Sequence, residues 1–229
     1  MNQSSISETI LSFTNQLEDR NHRYLSWEHC YRYFREPVVD VDKGCLHLSF
    51  YLASWGMYRG SSFLLWKDYL IHKQVVEKLL SVRDEFQNIN FSSVSDSKLK
   101  DIISLSDWVT DCYKNNTGLV NGKKRETVPT QVLITKILLG TLGCVPAFDR
   151  FFVDGLSIHK ISPKSFSVKG LEELVKFYLK HQDEIDEVGK KIKVGNEPYP
   201  TMKLIDMYFW ELGVENQGNR NVQEDHQTT

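Results

Sequence analysis

The chain has 229 residues, of which 41% are hydrophobic and 12% aromatic, and its formal net charge is -2. This composition is typical of a globular protein with a substantial core, and it excludes a disordered or fibrous chain. It also excludes a surface that is basic overall, so contact with nucleic acid would require a local basic patch.

The cysteines and histidines do not have the spacing of a metal site. None of Cys30, Cys45, Cys112 and Cys144 stands two residues from another cysteine, so we expect no metal and no cofactor. The opening residues "MNQSSISETILSF" lack the charged and apolar regions of a signal peptide. We therefore expect a cytoplasmic protein in which the cysteines are reduced core residues.

Helical periodicity dominates the first half of the chain. Apolar residues recur at three- and four-residue steps in "SETILSFTNQLEDR", "YLSWEHCYRYFRE", "SSFLLWKDYLIHKQVVEKLLSV" and "SKLKDIISLSDWVTDCYK". The apolar run at 46–58 is too short to span a bilayer and is interrupted by polar residues, so we expect a buried helix and no contact with a membrane. No segment alternates as a β-strand does; "PVVDV" is the nearest candidate for an extended piece.

The clearest break in the pattern is "NNTGLVNGKKRET", which is rich in Asn and Gly. Its three consecutive cations, Lys123, Lys124 and Arg125, indicate either a solvated connection or a contact with phosphate. We predict an all-α fold of about nine helices in a single domain over 1–213, with two helical lobes near 1–115 and 125–213.

The second half continues with helices. "VPTQVLITKILLGTLG" has Lys136 as its only charge, which predicts a buried helix. In "YPTMKLIDMYFWELG", Pro200 is typical of a first helical turn and Gly213 of a C-terminal cap. The tail 214–229 has almost no apolar residues, so we expect it to be disordered.

One group of candidate binding residues lies in "ASWGMYRGSS". Arg59 stands there close to Trp55 and Tyr58 and before two serines. An arginine in such a setting can bind a carboxylate or phosphate, or stack on a base. The alternative is a buried arginine paired with a structural acid.

A second group lies in "GCVPAFDRFF", where Asp149 and Arg150 stand among aromatic residues. Pro146 is typical of a first helical turn, which would place Asp149 within or just past that turn. Further along, Lys203 and Asp206 have the spacing of an intrahelical ion pair, and Asp206 is expected to anchor another element.

Residues 128–212 resemble part of the helix-hairpin-helix DNA glycosylase-like superfamily. The resemblance rests on "TKILLGTLGCVPAFDRFF", where Pro146 and Asp149 match a Pro, a two-residue spacer and an Asp, and on "YPTMKLIDMYFWELG". It implies that Asp149 helps to cleave a base–sugar bond in a flipped nucleotide, with aromatic residues lining the pocket. The sequence departs from the family at the hairpin turn, because Gly140 and Gly143 are three residues apart.

Three functions are therefore open. The first is a DNA- or nucleobase-binding glycosylase-like protein, with Asp149 as the acid and with Arg59 or Arg150 near phosphate. The second is a non-catalytic module that binds a protein partner through the same scaffold. The third is an enzyme that acts on a small nucleotide or other phosphorylated ligand, with Arg59 as the anion clamp.

Overall fold

The computed structural model describes residues 4–16, 19, 21–124 and 127–227, and side chains as far as residue 218. The fold is 66% helix and 4% strand, which confirms the predicted all-α class. The ten helices of the described residues are α1 (Ile6–Asn15), α2 (Leu25–Phe34), α3 (Val41–Ser54), α4 (Lys73–Phe86), α5 (Asp96–Asn116), α6 (Gln131–Thr141), α7 (Arg150–Ile158), α8 (Val168–Lys180), α9 (Gln182–Lys191) and α10 (Thr201–Gln227).

Two antiparallel hairpins interrupt the helices. β1 (Leu119–Val120) pairs with β2 (Lys123–Lys124), and β3 (Lys193–Val194) pairs with β4 (Glu197–Pro198). The first turn consists of Asn121 and Gly122, whose φ angles are 51° and 70°. Positive φ at both central residues is the geometry that an Asn-Gly pair favours in a two-residue hairpin. The break predicted as a loop is therefore an ordered hairpin at this point.

The segment before α4 is less regular than its apolar periodicity predicts. Two short 3-10 helices, Phe63–Trp66 and Tyr69–His72, precede α4. Ser62 and Asp68 cap them by accepting hydrogen bonds from the backbone N–H groups of the residues two positions on. Such short polar side chains favour local turns over a continuous helix.

The prediction that the last helix ends at Gly213 is wrong, because α10 continues to Gln227 and includes most of the tail expected to be disordered. Gly213 serves close packing instead of capping. A Cβ there would overlap the backbone carbonyl oxygen of Phe151, and a Cβ at Gly155 would overlap that of Phe209. The two glycines thus let α7 and α10 pack with their backbones in contact.

α6 lies at the centre of the core. All nine of its residues from Leu133 to Thr141 are buried, and the helix packs against α2, α3 and α5. The indole N–H of Trp27 in α2 donates to the carbonyl oxygen of Leu139 at 3.0 Å. The apolar, singly charged pattern of this helix therefore predicted its burial correctly.

The four cysteines are free and buried, which confirms their assignment to the core. Among the described residues, no helix is both long and apolar enough to cross a membrane.

Candidate functional site

Asp149 is the N-cap of α7. The position of Pro146 had instead predicted Asp149 within or just past the first turn, and this prediction is wrong because the helix begins at Arg150. Its Oδ1 accepts from the backbone N–H of Phe152 at 3.2 Å. Its Oδ2 accepts from Nζ of Lys136 at 2.9 Å. The Lys136 side chain is only 4% exposed and that of Asp149 16%, so this ion pair is largely withdrawn from solvent. The sequence alone did not predict this pair, although a lone charge within the apolar α6 would need a partner once buried.

The irregular segment 143–149 between α6 and α7 is fixed on both sides. Asp206 accepts from the backbone N–H of Ala147 at 2.9 Å and from Nζ of Lys203 at 2.8 Å, which confirms both the intrahelical pair and the anchoring role. Thr135 accepts from the N–H of Phe148 through its hydroxyl at 3.0 Å. These bonds satisfy backbone groups that no helix would satisfy, so the segment is held in one conformation.

Trp55 is a packing residue. Its ring stacks on Tyr24 with centroids 5.0 Å apart and meets the edge of Trp210 at 6.0 Å. Nζ of Lys136 lies 4.8 Å from the Trp55 ring centroid and Nζ of Lys203 5.8 Å from it. The Trp55 ring is therefore surrounded by protein groups that already use its faces.

Tyr58 belongs to a hydrogen-bonded chain that runs into the core. Its hydroxyl lies 2.8 Å from Nε2 of His72, whose Nδ1 lies 2.5 Å from the hydroxyl of Tyr113. Burial lowers the pKa of His72 to about 3, so the imidazole is neutral at pH 7. The chain holds the side chain of Tyr58, the residue directly before Arg59.

Arg59 lines a cavity of about 400 Å³. A Cβ at Gly56 would lie 3.1 Å from the Arg59 Nε, so the guanidinium group rests against the backbone of that turn. Within the described part of the chain, no carboxylate lies within 4.0 Å of this guanidinium group. The cavity is lined by Arg59, Ser61, Ser62, Thr127 and Thr130 together with apolar residues that include Met57, Phe63, Val120 and Leu133.

The start of α6 forms one wall of this cavity. Thr130 is the N-cap of α6 and accepts from the N–H of Leu133 at 3.2 Å. The cavity therefore adjoins the positive end of an eleven-residue helix dipole. A guanidinium group, hydroxyls and a helix N-terminus together favour an anion.

The basic hairpin contributes Val120 to the wall of the cavity. Lys123 pairs across the hairpin with Val120, which lines the cavity, and cross-strand partners share one face. Lys124 pairs with the exposed Leu119 on the opposite face. Nζ of Lys67 holds the hairpin by donating to the Leu119 carbonyl at 2.6 Å. Arg125, the third predicted cation, lies outside the described residues.

Arg150 lies apart from these groups. It is exposed at the first position of α7, where it donates to the Gln217 side chain at 3.0 Å and lies over the ring of Phe151. The structure thus divides the predicted residues between two places. Asp149 and Trp55 lie at the Lys136 ion pair, whereas Arg59 lines the cavity and Lys123 shares a hairpin face with Val120, which also lines it.

Comparisons of the chain with protein-family models, with curated proteins and with solved structures found no match.

Proposed function

We propose that the protein binds a small phosphorylated ligand in the cavity of Arg59. One observation carries this proposal: the Arg59 side chain and the N-terminus of α6 line the same cavity, which has a volume of about 400 Å³. Pockets for small organic ligands typically have volumes of about 300–1,000 Å³.

The walls match two parts of such a ligand. The hydroxyls of Ser61 and Thr127 and the Arg59 guanidinium group suit phosphate oxygens. Met57 and Phe63 supply an apolar surface for the rest of the molecule. Phosphate is favoured over an extended polyanion because the hydroxyls and the single arginine lie within one concave site.

Calorimetric titration with inorganic phosphate, ribose 5-phosphate and adenosine 5′-monophosphate tests the proposal. We expect saturable binding of at least one of them, and Arg59→Gln should weaken it by about tenfold or more, the range expected for a lost charge-assisted hydrogen bond. Lys123→Gln should weaken it less, and Lys124→Gln, which removes the same charge from the opposite face, should have no effect. Absence of saturable binding, or equal affinity of Arg59→Gln and the wild type, would refute the proposal.

The glycosylase-like function stays a prediction, and the geometry gives it less support. The Asp149 carboxylate already accepts from Lys136 and from a backbone N–H, and the ring of Trp55 is stacked on Tyr24. A titration with duplex and single-stranded DNA at two salt concentrations tests it. DNA binding at low salt that weakens in Lys123→Gln and Lys124→Gln alike would favour this function, because phosphate contacts are additive and sensitive to salt.

A further inference from the structure

A second cavity lies at the opposite end of α6 from the Arg59 site. It has a volume of about 210 Å³, and its walls come from α2, the end of α4, the start of segment 143–149 and the hairpin β3–β4 with the first turn of α10. Gly143 and Cys144 form part of its floor. Burial raises the pKa of the Cys144 thiol to about 12, so this cysteine is not a nucleophile at neutral pH.

Two side chains of opposite charge line this cavity, Arg35 from the C-cap of α2 and Glu197 from β4. They do not form an ion pair with each other, because no nitrogen of Arg35 lies within 4.0 Å of the Glu197 carboxylate. Both are close enough to Tyr31 to act on its hydroxyl: Arg35 lowers and Glu197 raises the pKa of Tyr31, which burial raises most strongly. Opposite charges thus share one small cavity without neutralising each other directly.

Tyr31 holds the guanidinium group of Arg35 but uses only one of its N–H donors. One of its nitrogens donates to the Tyr31 hydroxyl at 3.2 Å, and the group lies 5.7 Å from the centroid of that ring. An arginine has five N–H donors, so this single bond leaves several for a carboxylate. Thr201, the first residue of α10, also lines the cavity, so the positive end of that long helix favours an anion beside Arg35.

The other side of the cavity offers acceptors. The amide nitrogen of Gln87 donates to the carbonyl oxygens of Phe34 and Thr141 at 3.1 and 2.9 Å, so the atom of its amide that remains for a ligand is the acceptor Oε1. The Glu197 carboxylate adds a negative charge. An ammonium group, which only donates hydrogen bonds, fits this chemistry.

We propose that this second cavity binds a small zwitterion with one carboxylate and one ammonium group, such as a free amino acid, with the carboxylate on Arg35 and the ammonium group on Glu197. A volume of about 210 Å³ admits a compound of this size. The site is separate from the Arg59 cavity and does not depend on the function proposed for it.

Calorimetric titration of the full chain with L-alanine, L-glutamine and L-leucine tests this site, with the N-acetylated and the C-amidated form of each as matched ligands. We expect at least one free amino acid to bind and each derivative to bind at least about tenfold more weakly, since each has lost one of the two charges. Arg35→Gln should abolish discrimination against the amide, and Glu197→Gln should abolish discrimination against the acetylated form. Arg35→Lys should restore part of the affinity, because the charge remains but the planar fork is lost.

Arg32→Gln is the matched control, since Arg32 is an exposed arginine one turn earlier on α2 that does not line the cavity. It should bind like the wild type, and circular dichroism should show every variant folded. The proposal is overturned if no free amino acid binds, if the derivatives bind as well as the parent compounds, or if Arg35→Gln and Arg32→Gln have equal effects.

Discussion

Replacing Asp149 by Asn tests whether this residue is part of the structural framework at the start of α7. Asparagine is as good an N-cap as aspartate, so the bond from the Phe152 N–H should persist. The amide nitrogen then takes the place of Oδ2, so both the negative charge and the acceptor opposite Lys136 are lost. The variant therefore isolates the ion pair from the cap.

The expected loss of stability follows from the burial of the Lys136 and Asp149 side chains. Removing one partner of a buried pair costs about 3–5 kcal/mol because the other charge stays uncompensated. Lys136 is 4% exposed, but Asp149 is 16% exposed, so water near Asp149 compensates part of the lost charge. We therefore expect Asp149→Asn to lower the free energy of unfolding by about 2–4 kcal/mol, or Tm by about 5–15 °C in a domain of this size.

Lys136→Met should cost less, about 1–3 kcal/mol, because the remaining Asp149 carboxylate keeps a backbone N–H and the positive end of α7. The double variant should recover part of the summed loss, with a coupling energy of about 1–3 kcal/mol. Urea unfolding of the four proteins, followed by circular dichroism, measures these values. A loss below about 1 kcal/mol for Asp149→Asn, with coupling near zero, would refute the structural role.

Three further predictions concern the framework. His72 has a pKa of about 3 when folded against about 6.5 when unfolded, so its contribution to stability is complete above pH 6.5 and declines as the pH falls toward 3. Between pH 6.5 and 5, urea unfolding should show a loss of up to about 2 kcal/mol that is absent from His72→Gln; parallel pH profiles would contradict this. Gly155→Ala should destabilise the fold by about 3 kcal/mol or more, because its Cβ would overlap the Phe209 carbonyl. The control Gly218→Ala, at a position in α10 with open space, should stabilise the fold by up to about 1 kcal/mol. Equal shifts in Tm for the two variants would contradict the close packing of α7 and α10. Thr130→Ala should cost about 1 kcal/mol by removing the cap of α6, and an unchanged urea midpoint would argue against that cap.

The helical class and the burial of α6 could be predicted from periodicity, because a stripe or a full surface of apolar residues is visible within one segment. The end of the last helix could not. Gly213 satisfies the local rule for a stop, yet the contact with the Phe151 carbonyl that explains this glycine comes from α7, which the sequence does not place beside it. The hairpin at Asn121–Gly122 was accessible in principle, since that pair is a strong turn signal, but strands of two residues are too short to show alternation.

The candidate sites show the same division between local and distant information. The sequence showed Lys136 as the lone charge of an apolar helix, but only the fold shows that its partner is Asp149. Arg59 was recognisable from its neighbours in the sequence, because its setting in the turn is local. Arg35 and Glu197 carried no such signal, since each is an ordinary surface charge in its own segment and their common cavity exists only after β4 packs beside α2.

α6 connects these observations. Its first residues form a wall of the Arg59 cavity, its middle carries Lys136, and the residues directly after it line the second cavity. The helix is buried from Leu133 to Thr141. Its C-terminal end leads into segment 143–149, which Thr135 and Asp206 hold by hydrogen bonds to two adjacent backbone N–H groups. The buried ion pairs at Asp149 and Asp206 therefore fix the connection between α6 and α7. Through these contacts Asp149 and Asp206 belong to the framework, and the binding that we propose falls to Arg59 and Arg35, near the two ends of the helix.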